Sequence, residues 1–320
     1  SSGQVLTSAG AGAVPSFQTA ASGGGTPAAG DLSTGSRNVA LSATALDSIQ
    51  AGATDNTAVG YEAGRENNGQ ENTYIGYHAG RLTTGGNEGT FIGSAAGYSN
   101  ASSDNTAVGR RALYLNTAAY NTGIGHQAGY GITTGNFNTF VGERTGASIG
   151  TGAGNVGVGR RSLFQATSSN NTCVGMQAGY GITSGEKNIA IGNGAMEIAL
   201  TTGDDNVVVG MSAGTSITSG NKNVVIGNSA GYAITTSVNT VAVGHEALKA
   251  LVDGAHNVAV GASALLRLTS GGVNVAMGLA AGSHITTGSH NTCLGYDSFQ
   301  AIVGSGYNTG VGSSTGVYQT

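Results

Sequence analysis

Hydrophobic and polar positions recur along nearly the whole chain with a period of 16 to 18 residues, usually 17. The register mark is the glycine that ends the motif Asn-Thr-Ala-Val-Gly, first complete at Gly60. Sixteen glycines hold this position, the last being Gly312, and a degenerate motif at 38–42 predicts one earlier repeat. A period this short is typical of a solenoid, in which each repeat is one rung of a stack.

Each position relative to the register glycine has its own chemistry. Thr, Val or Ile stands three residues before it and Val, Ile, Leu or Met one residue before it. These two columns are two residues apart, so they share one face of a predicted strand, which we interpret as the rung interior. Asn precedes the glycine by four residues in 14 of 16 rungs, which predicts a stacked ladder of amides at a corner.

The column between these two lies on the opposite face and holds no charged or amide side chain. A strand that is apolar on both faces is buried on both, and a 17-residue rung covers only one face with its own chain. The middle column is therefore predicted to meet another subunit. This predicted oligomer-interface column contains Ala58, Tyr74, Phe91, Ala107, Phe140, Cys173, Val208, Val225 and Cys293.

The rest of each rung has two polar positions, a small residue, a glycine or large apolar residue, and a second apolar segment. We expect each rung to read strand, turn, second short strand, turn. The fold class is thus all-β, a β-solenoid or β-roll of about 16 to 17 rungs over residues 36–320. At the strand spacing this shaft is roughly 75 Å long. Residues 1–35 lie outside the repeat and are predicted to form a leading attachment segment.

Composition narrows the classes of protein that fit. Glycine supplies 58 residues without a Gly-X-Y period, which excludes collagen, and charged residues make up only 9%. The net charge of −4 gives no basic footprint for nucleic acid, and no apolar run is long enough for membrane insertion. A disordered glycine-rich segment would not keep its columns constant through sixteen rungs.

The repeats at 56–63 and 105–109 resemble the NTAVGxxAL-type repeats of phage and virus tail-fibre proteins. They are more distantly similar to the heads of trimeric autotransporter adhesins. Residues 2–17 resemble a tail-fibre segment of the form GQVLTSxGxGxxPxW, with Phe17 in place of Trp. The resemblance implies a parallel homotrimeric fibre, contacts with other fibre or virion proteins, and a surface role in host attachment. The start at Ser1 without Met is interpreted as a processed or partial chain.

Several exposed positions are candidate contacts for a host glycan or protein. They are Arg110, Arg111, Arg160, Arg161, Tyr61 and Tyr77. The arginines could bind anionic glycans or pair with an acidic residue such as Glu143, and the tyrosines could stack on sugars or cover a neighbouring rung. Both readings stay open at the level of sequence.

No catalytic, cofactor or metal site is expected. The histidines lack ligand spacing, the aspartates share no column, and no column of carboxylates suits an enzyme acting on polysaccharide. Inert packing is favoured for Cys173 and Cys293, although a trimer could also bring each near its symmetry mates. Ice binding by the Thr column that begins at Thr57 is set aside because that column is interpreted as interior and later changes to Val and Ile.

The sequence therefore predicts a non-enzymatic structural fibre, a stiff trimeric rod on a virion or another extracellular surface. The alternative is a bacterial adhesin head or an extracellular matrix filament, in which the same rod would sit on a cell.

Overall fold

A computed structural model describes residues 4–7, 16–19, 37–42, 44–49, 52–198, 200–299 and 303–316. Within these ranges the chain is all-β and contains no helix. The first two strands, β1 (Gln4–Thr7) and β2 (Ser16–Thr19), form an antiparallel hairpin that pairs Gln4 with Thr19. This hairpin falls in the segment that sequence places before the repeats.

Seventeen three-residue strands follow, one per rung, and they stack as a single parallel sheet. Each strand pairs with the rung before it and the rung after it, so that equivalent residues lie side by side, as in Ala58, Tyr74 and Phe91. The strands are β3 (Val39–Leu41), β4 (Thr57–Val59), β5 (Thr73–Ile75), β6 (Thr90–Ile92), β7 (Thr106–Val108), β8 (Thr122–Ile124), β9 (Thr139–Val141), β10 (Val156–Val158), β11 (Thr172–Val174), β12 (Ile189–Ile191), β13 (Val207–Val209), β14 (Val224–Ile226), β15 (Val241–Val243), β16 (Val258–Val260), β17 (Val275–Met277), β18 (Thr292–Leu294) and β19 (Thr309–Val311).

The predicted β-solenoid is confirmed, including its degenerate first rung. Strand β3 pairs with β4 in register, Val39 opposite Thr57. Strands β3 and β19 each pair with one neighbour only, so the sheet is an open stack and not a closed barrel.

The register glycines allow neighbouring rungs to approach closely at the end of each strand. Gly125 has a φ of +131°, a conformation that L side chains rarely adopt. A Cβ atom there would lie 2.6 Å from the carbonyl oxygen of Gly142 in the next rung. The repeat therefore requires glycine at this position both for its backbone conformation and for its space.

The core of the solenoid lies inside each single chain, and the middle residue of every strand points into it. From β4 to β19 this residue is buried, whereas its two neighbours are half-buried or exposed. The predicted assignment of faces is therefore wrong. The nine residues expected at an oligomer interface are all fully buried in the chain's own core: Ala58, Tyr74, Phe91, Ala107, Phe140, Cys173, Val208, Val225 and Cys293.

The physical reason is an exchange of volume that recurs in many rungs, whereas others, such as the rung of Gly123 and Gly129, are small at both positions. Where the middle residue is large, as at Phe91, the residue four positions after the register glycine is Gly97. Where the middle residue is small, as at Ala107, the same position holds the fully buried Leu113. The two positions face the same interior, as a Cβ atom at Gly97 would lie 2.0 Å from the Phe91 ring, so the middle residue packs inside its own chain and not against another subunit.

The expected second strand of each rung does not form as a regular strand. This segment contains only isolated parallel bridges, such as the one between Ile132 and Gly150. Left-handed residues lie in the turn that precedes it; Arg111 and Leu113, at the second and fourth positions after the register glycine, have φ of 55° and 46°. Inter-rung bonds continue singly here, for example from the Thr133 N–H to the Gly150 carbonyl at 2.8 Å.

The predicted asparagine ladder is present at the corner before each strand. The Asn138 backbone N–H donates to Oδ1 of Asn121 at 2.9 Å, and the Asn138 Nδ2 donates to the same oxygen at 3.1 Å. The Asn138 amide also donates to the carbonyl of Gly152 at 2.9 Å. These side chains are fully buried, so the ladder satisfies polar groups that would otherwise destabilise the corner.

Candidate functional site

The outer sheet face is the most uniform surface of the solenoid. It consists of the first and last residues of strands β3–β19, from Val39 and Leu41 to Thr309 and Val311. All of these residues are Thr, Val, Ile, Leu or Met, and none carries a charge. Several large side chains are substantially exposed, including Ile75 at 39%, Ile124 at 40% and Met277 at 47%.

The dimensions of this face match a protein interface. Seventeen strands at a ~4.8 Å spacing, each three residues wide, give roughly 800 Å² of flat surface. A standard stable interface buries about 800 Å² per partner, and its core is depleted of charged residues. The apolar face that the chain leaves uncovered is therefore the outer sheet face, not the face of the middle column.

The threonine column from Thr57 to Thr139 lies on the outer sheet face. The interpretation of that column as interior, which was one ground for setting ice binding aside, is therefore wrong. The second ground still holds, because Val156, Ile189 and Val207 occupy the same column in later rungs. Over the whole outer sheet face, Val, Ile, Leu and Met side chains outnumber Thr side chains.

The two cysteines are inert core residues. Both are free and fully buried, in β11 and β18 respectively. Burial raises the pKa of the Cys173 thiol, and burial raises the pKa of Cys293 to about 12. Because these neutral thiols lie inside the chain's own core, they cannot meet the same cysteine of another copy of the chain. Inert packing is therefore favoured over a contact between subunits.

The predicted contact residues Tyr61 and Tyr77 are exposed at 50% and 55% and stack on each other at 5.6 Å. The Tyr77 ring also stacks on His78, with centroids 3.8 Å apart. Beneath them Glu62 pairs with His78 at 3.2 Å and hydrogen-bonds Arg81, which lowers the pKa of that carboxyl group. Part of the surface of these two tyrosine rings is therefore already covered by contacts within the chain.

The four predicted arginines all lie on the turns that follow the strands. Arg160 pairs with Glu143 of the neighbouring rung at 3.2 Å, and this intrachain pair confirms the acidic partner considered for it. Arg110 lies 3.4 Å from a ring nitrogen of His126. The guanidinium groups of Arg111 and Arg161 lie over aromatic rings. No acidic partner is described for these last two arginines.

An aromatic ladder beside these arginines was missed from the sequence. It occupies the fifth position after the register glycine and comprises Tyr98, Tyr114, Tyr130, Phe164 and Tyr180. Consecutive rings stack with centroids 4.9 Å, 5.2 Å and 5.2 Å apart. The recurrence of aromatic residues in one column was the available signal. It was missed because only some rungs have an aromatic residue at this position.

Groups of three or more His, Cys, Asp or Glu side chains suited to a metal ion are absent from the described part of the chain. The same residues include no helix that could cross a bilayer. Comparisons with family models, curated proteins and solved structures found no match to this chain.

Proposed function

We propose that this chain forms the rod of a structural fibre on a virion or another extracellular surface, where it takes part in host attachment. In this proposal copies of the chain associate side by side through the outer sheet face. The observation that carries it is the uncharged character of that face through all seventeen strands.

A second copy of the same chain is the partner that fits this face best. The face is long, narrow and periodic, and a partner with the same rung spacing and length covers all of it at once. Three copies around one axis is the arrangement that the resemblance to tail-fibre repeats implies, and each copy would then turn its outer sheet face toward the axis.

The mechanism of such a rod is mechanical. Each rung is hydrogen-bonded to both neighbours, so bending the rod would strain the inter-rung bonds of both the strands and the corner ladder. A stiff trimer presents three copies of any surface site at fixed spacing, which raises weak single contacts to a useful avidity. A turnover assay on host polysaccharides that showed cleavage would contradict this non-enzymatic proposal.

Native mass spectrometry with sedimentation tests the assembly. We expect a particle of about three times 31.2 kDa. The double variant Ile191→Lys/Ile226→Lys places two charges on the outer sheet face, at side chains that are 39% and 38% exposed in the single chain. It should remain β-structured by circular dichroism but dissociate to smaller species, because two charges would have to be desolvated at the interface.

The matched control is Met211→Lys/Leu279→Lys, which adds the same two charges at positions that are 55% and 52% exposed outside the sheet and should leave the trimer intact. A monomeric native protein would overturn the proposed association, and a dimer would overturn the trimer. Dissociation of the control to the same extent would show that the outer sheet face is not the interface.

A further inference from the structure

The aromatic ladder has one gap, and the gap lies at the most basic part of the chain. Ala147 occupies the ladder position between Tyr130 and Phe164. With one ring missing, these two rings are two rung spacings apart, roughly 10 Å. The vacant position is therefore deep enough to take one flat ring about 5 Å from each aromatic face, the spacing that the ladder itself shows.

Positive charge is concentrated around this gap. Five of the twelve Lys and Arg residues but only one of the sixteen acidic residues lie within 105–180, although the chain as a whole carries −4. The five are Arg110, Arg111, Arg144, Arg160 and Arg161. Arg160 is paired with Glu143, so the local excess of charge rests on the others.

Two of these arginines border the gap and have donor capacity to spare. Arg161 lies over the Phe164 ring with its guanidinium carbon 6.0 Å from the centroid. Its Nε is buried without a hydrogen-bond partner among the described residues, so the donors that an external ligand would reach are its terminal Nη groups, for which no bond is described. Arg144, three residues before Ala147, uses its Nε to bond Gln127 at 2.8 Å. Neither arginine has a described carboxylate partner, so their guanidinium groups can bind an external one.

We propose that the gap at Ala147 binds an acidic sugar residue of a surface glycan, of the uronic-acid class. The apolar C–H faces of the pyranose ring would stack on Tyr130 and Phe164, and its carboxylate would accept hydrogen bonds from Arg161 and Arg144. Guanidinium groups bind carboxylates through paired N–H donors, and aromatic faces contribute further stabilisation to ligands that stack on them.

A pyranose fits this gap better than a planar aromatic acid, because its axial C–H groups make it thicker and suit the 5 Å interval. The inference rests on the proposed attachment role for its biological setting, but the gap itself is formed by one chain. It lies on the turn and the segment after it, outside the outer sheet face, and would stay open in a rod whose sheet faces are covered.

The test is a calorimetric titration of the full chain with a galacturonic acid hexamer, using a neutral glucose hexamer of the same length as a control. We expect the acidic hexamer to bind at least tenfold more tightly than the neutral one. Equal binding of the two would overturn the assignment of an acidic ligand, and absence of binding by the acidic hexamer would overturn the site.

Filling the gap provides a sharper test than removing charge. Ala147→Tyr continues the ladder with a ring of the type found at Tyr130 and should lower affinity at least tenfold while leaving thermal stability equal or higher. Leu266→Tyr is the matched control, since it adds the same ring at the equivalent position of a distant rung where Ser263 replaces arginine. It should bind like the wild type, and unchanged binding by Ala147→Tyr would overturn the gap as the site.

Arg161→Gln should weaken binding of the acidic hexamer about tenfold without changing that of the neutral one. A single-stranded oligonucleotide that bound more tightly than the hexamer would overturn the glycan class in favour of nucleic acid. Native mass is recorded for each variant, so that failure of binding in an intact trimer is distinguished from failure of the proposed rod.

Discussion

The asparagine ladder shows how one residue type satisfies a buried corner in 14 of the 16 rungs that carry a register glycine. Each amide oxygen accepts from the next rung's backbone, as Asn206 does for the N–H of Asn223 at 3.1 Å, and each amide nitrogen bonds a carbonyl at the next corner. Thr240 interrupts the series. Its N–H still donates to Asn223 at 3.0 Å, but its hydroxyl donates to Val238 and makes no described bond to Asn257.

Thr240→Asn should therefore stabilise the protein by about 1 kcal/mol, because it restores an acceptor for the buried N–H of the next rung. The measurement is the urea midpoint at constant m-value. Gly89→Asn is the contrasting variant at the other exception, where a Cβ atom would overlap the Phe91 ring. It should destabilise; if both variants changed stability in the same direction, the ladder would not be the cause.

The buried thiols predict a loss of stability at alkaline pH. Burial raises the pKa of Cys173 and raises that of Cys293 to about 12, whereas a thiol in the unfolded chain titrates near ~8.5. Above that pH the unfolded state loses protons that the folded state keeps. The contribution of the neutral thiols is fully present below pH ~8.5 and is lost as pH rises toward the folded-state pKa values.

We expect the free energy of unfolding to fall by about 1.4 kcal/mol per pH unit per thiol above pH ~9. Urea midpoints at pH 8 and pH 10 measure this fall. The variant Cys173→Ala/Cys293→Ala should show a smaller fall, although its stability at pH 8 is itself reduced by the lost side-chain volume. An identical fall in both proteins would contradict the assignment to the thiols.

At the scale of the strand and its rung, the sequence predicted where each solenoid strand lies and how it pairs with its neighbours. It did not predict which face of the strand points into the core. Periodic columns located every strand from β3 to β19, because the same glycine and asparagine constraints recur at each turn. The prediction of the inward face was wrong because both faces of a strand such as Thr57–Val59 are apolar. The alternation of side chains between the two faces does not by itself say which face is inside. The signal that decides it is the exchange of size between the middle residue and the fourth residue after the glycine.

The same reasoning explains the other misses. The second segment was expected to be a strand because it contains apolar residues, but the left-handed residues in the turn before it, such as Leu163 with φ of 49°, are not evident from composition. The aromatic ladder depends on the fifth position after the glycine, where Ala147 interrupts the series and Arg81 and Glu197 lie beyond its two ends. Because only some rungs have an aromatic residue in this column, its significance became clear only from the stacking of the rings in the structure.

The size exchange can be tested by converting a rung with a large middle residue and a glycine, such as Phe91 and Gly97, into one with a small middle residue and a leucine. Phe91→Ala should destabilise by about 3–5 kcal/mol through the cavity it leaves. Gly97→Leu alone should also destabilise, because its side chain would overlap the Phe91 ring. The double variant reproduces the Ala107 and Leu113 pair of the next rung, where leucine adopts φ of 46° without glycine.

The double variant should therefore be more stable than either single variant, with a favourable coupling of about 2 kcal/mol in a double-mutant cycle. Urea unfolding of all four proteins measures the coupling. Additive losses would mean that the two positions do not share a cavity, and the internal assignment of the middle column would then need another explanation.

At the scale of the whole molecule, stability is distributed along the stack because every rung contacts only its neighbours. In such a protein the energy is close to a sum of rung terms and nearest-neighbour interfaces. The outer sheet face adds a second, lateral set of contacts if copies associate as proposed. The number of rungs then fixes the length of the rod and the area of its lateral interface together.

Deletion of residues 240–256, one 17-residue repeat, tests this modular description. It joins Asn239 to Asn257, keeps each middle residue with its own rung partner, and removes Thr240, so Asn223 and Asn257 become ladder neighbours. The shortened rod should remain folded, with a thermal midpoint within a few degrees of the parent, and should assemble to the same number of copies. Deletion of residues 240–248 is the control: it leaves an incomplete rung, residues 249–256, that lacks its strand Val241–Val243 and its register glycine Gly244. Later rungs keep their own spacing, but the incomplete rung breaks the stack at one junction, so this deletion should lower the thermal midpoint more than removal of the whole repeat. If the two deletions proved equally damaging, the rungs would not be interchangeable units, and the proposed lateral matching of rod to rod by rung would lose its basis.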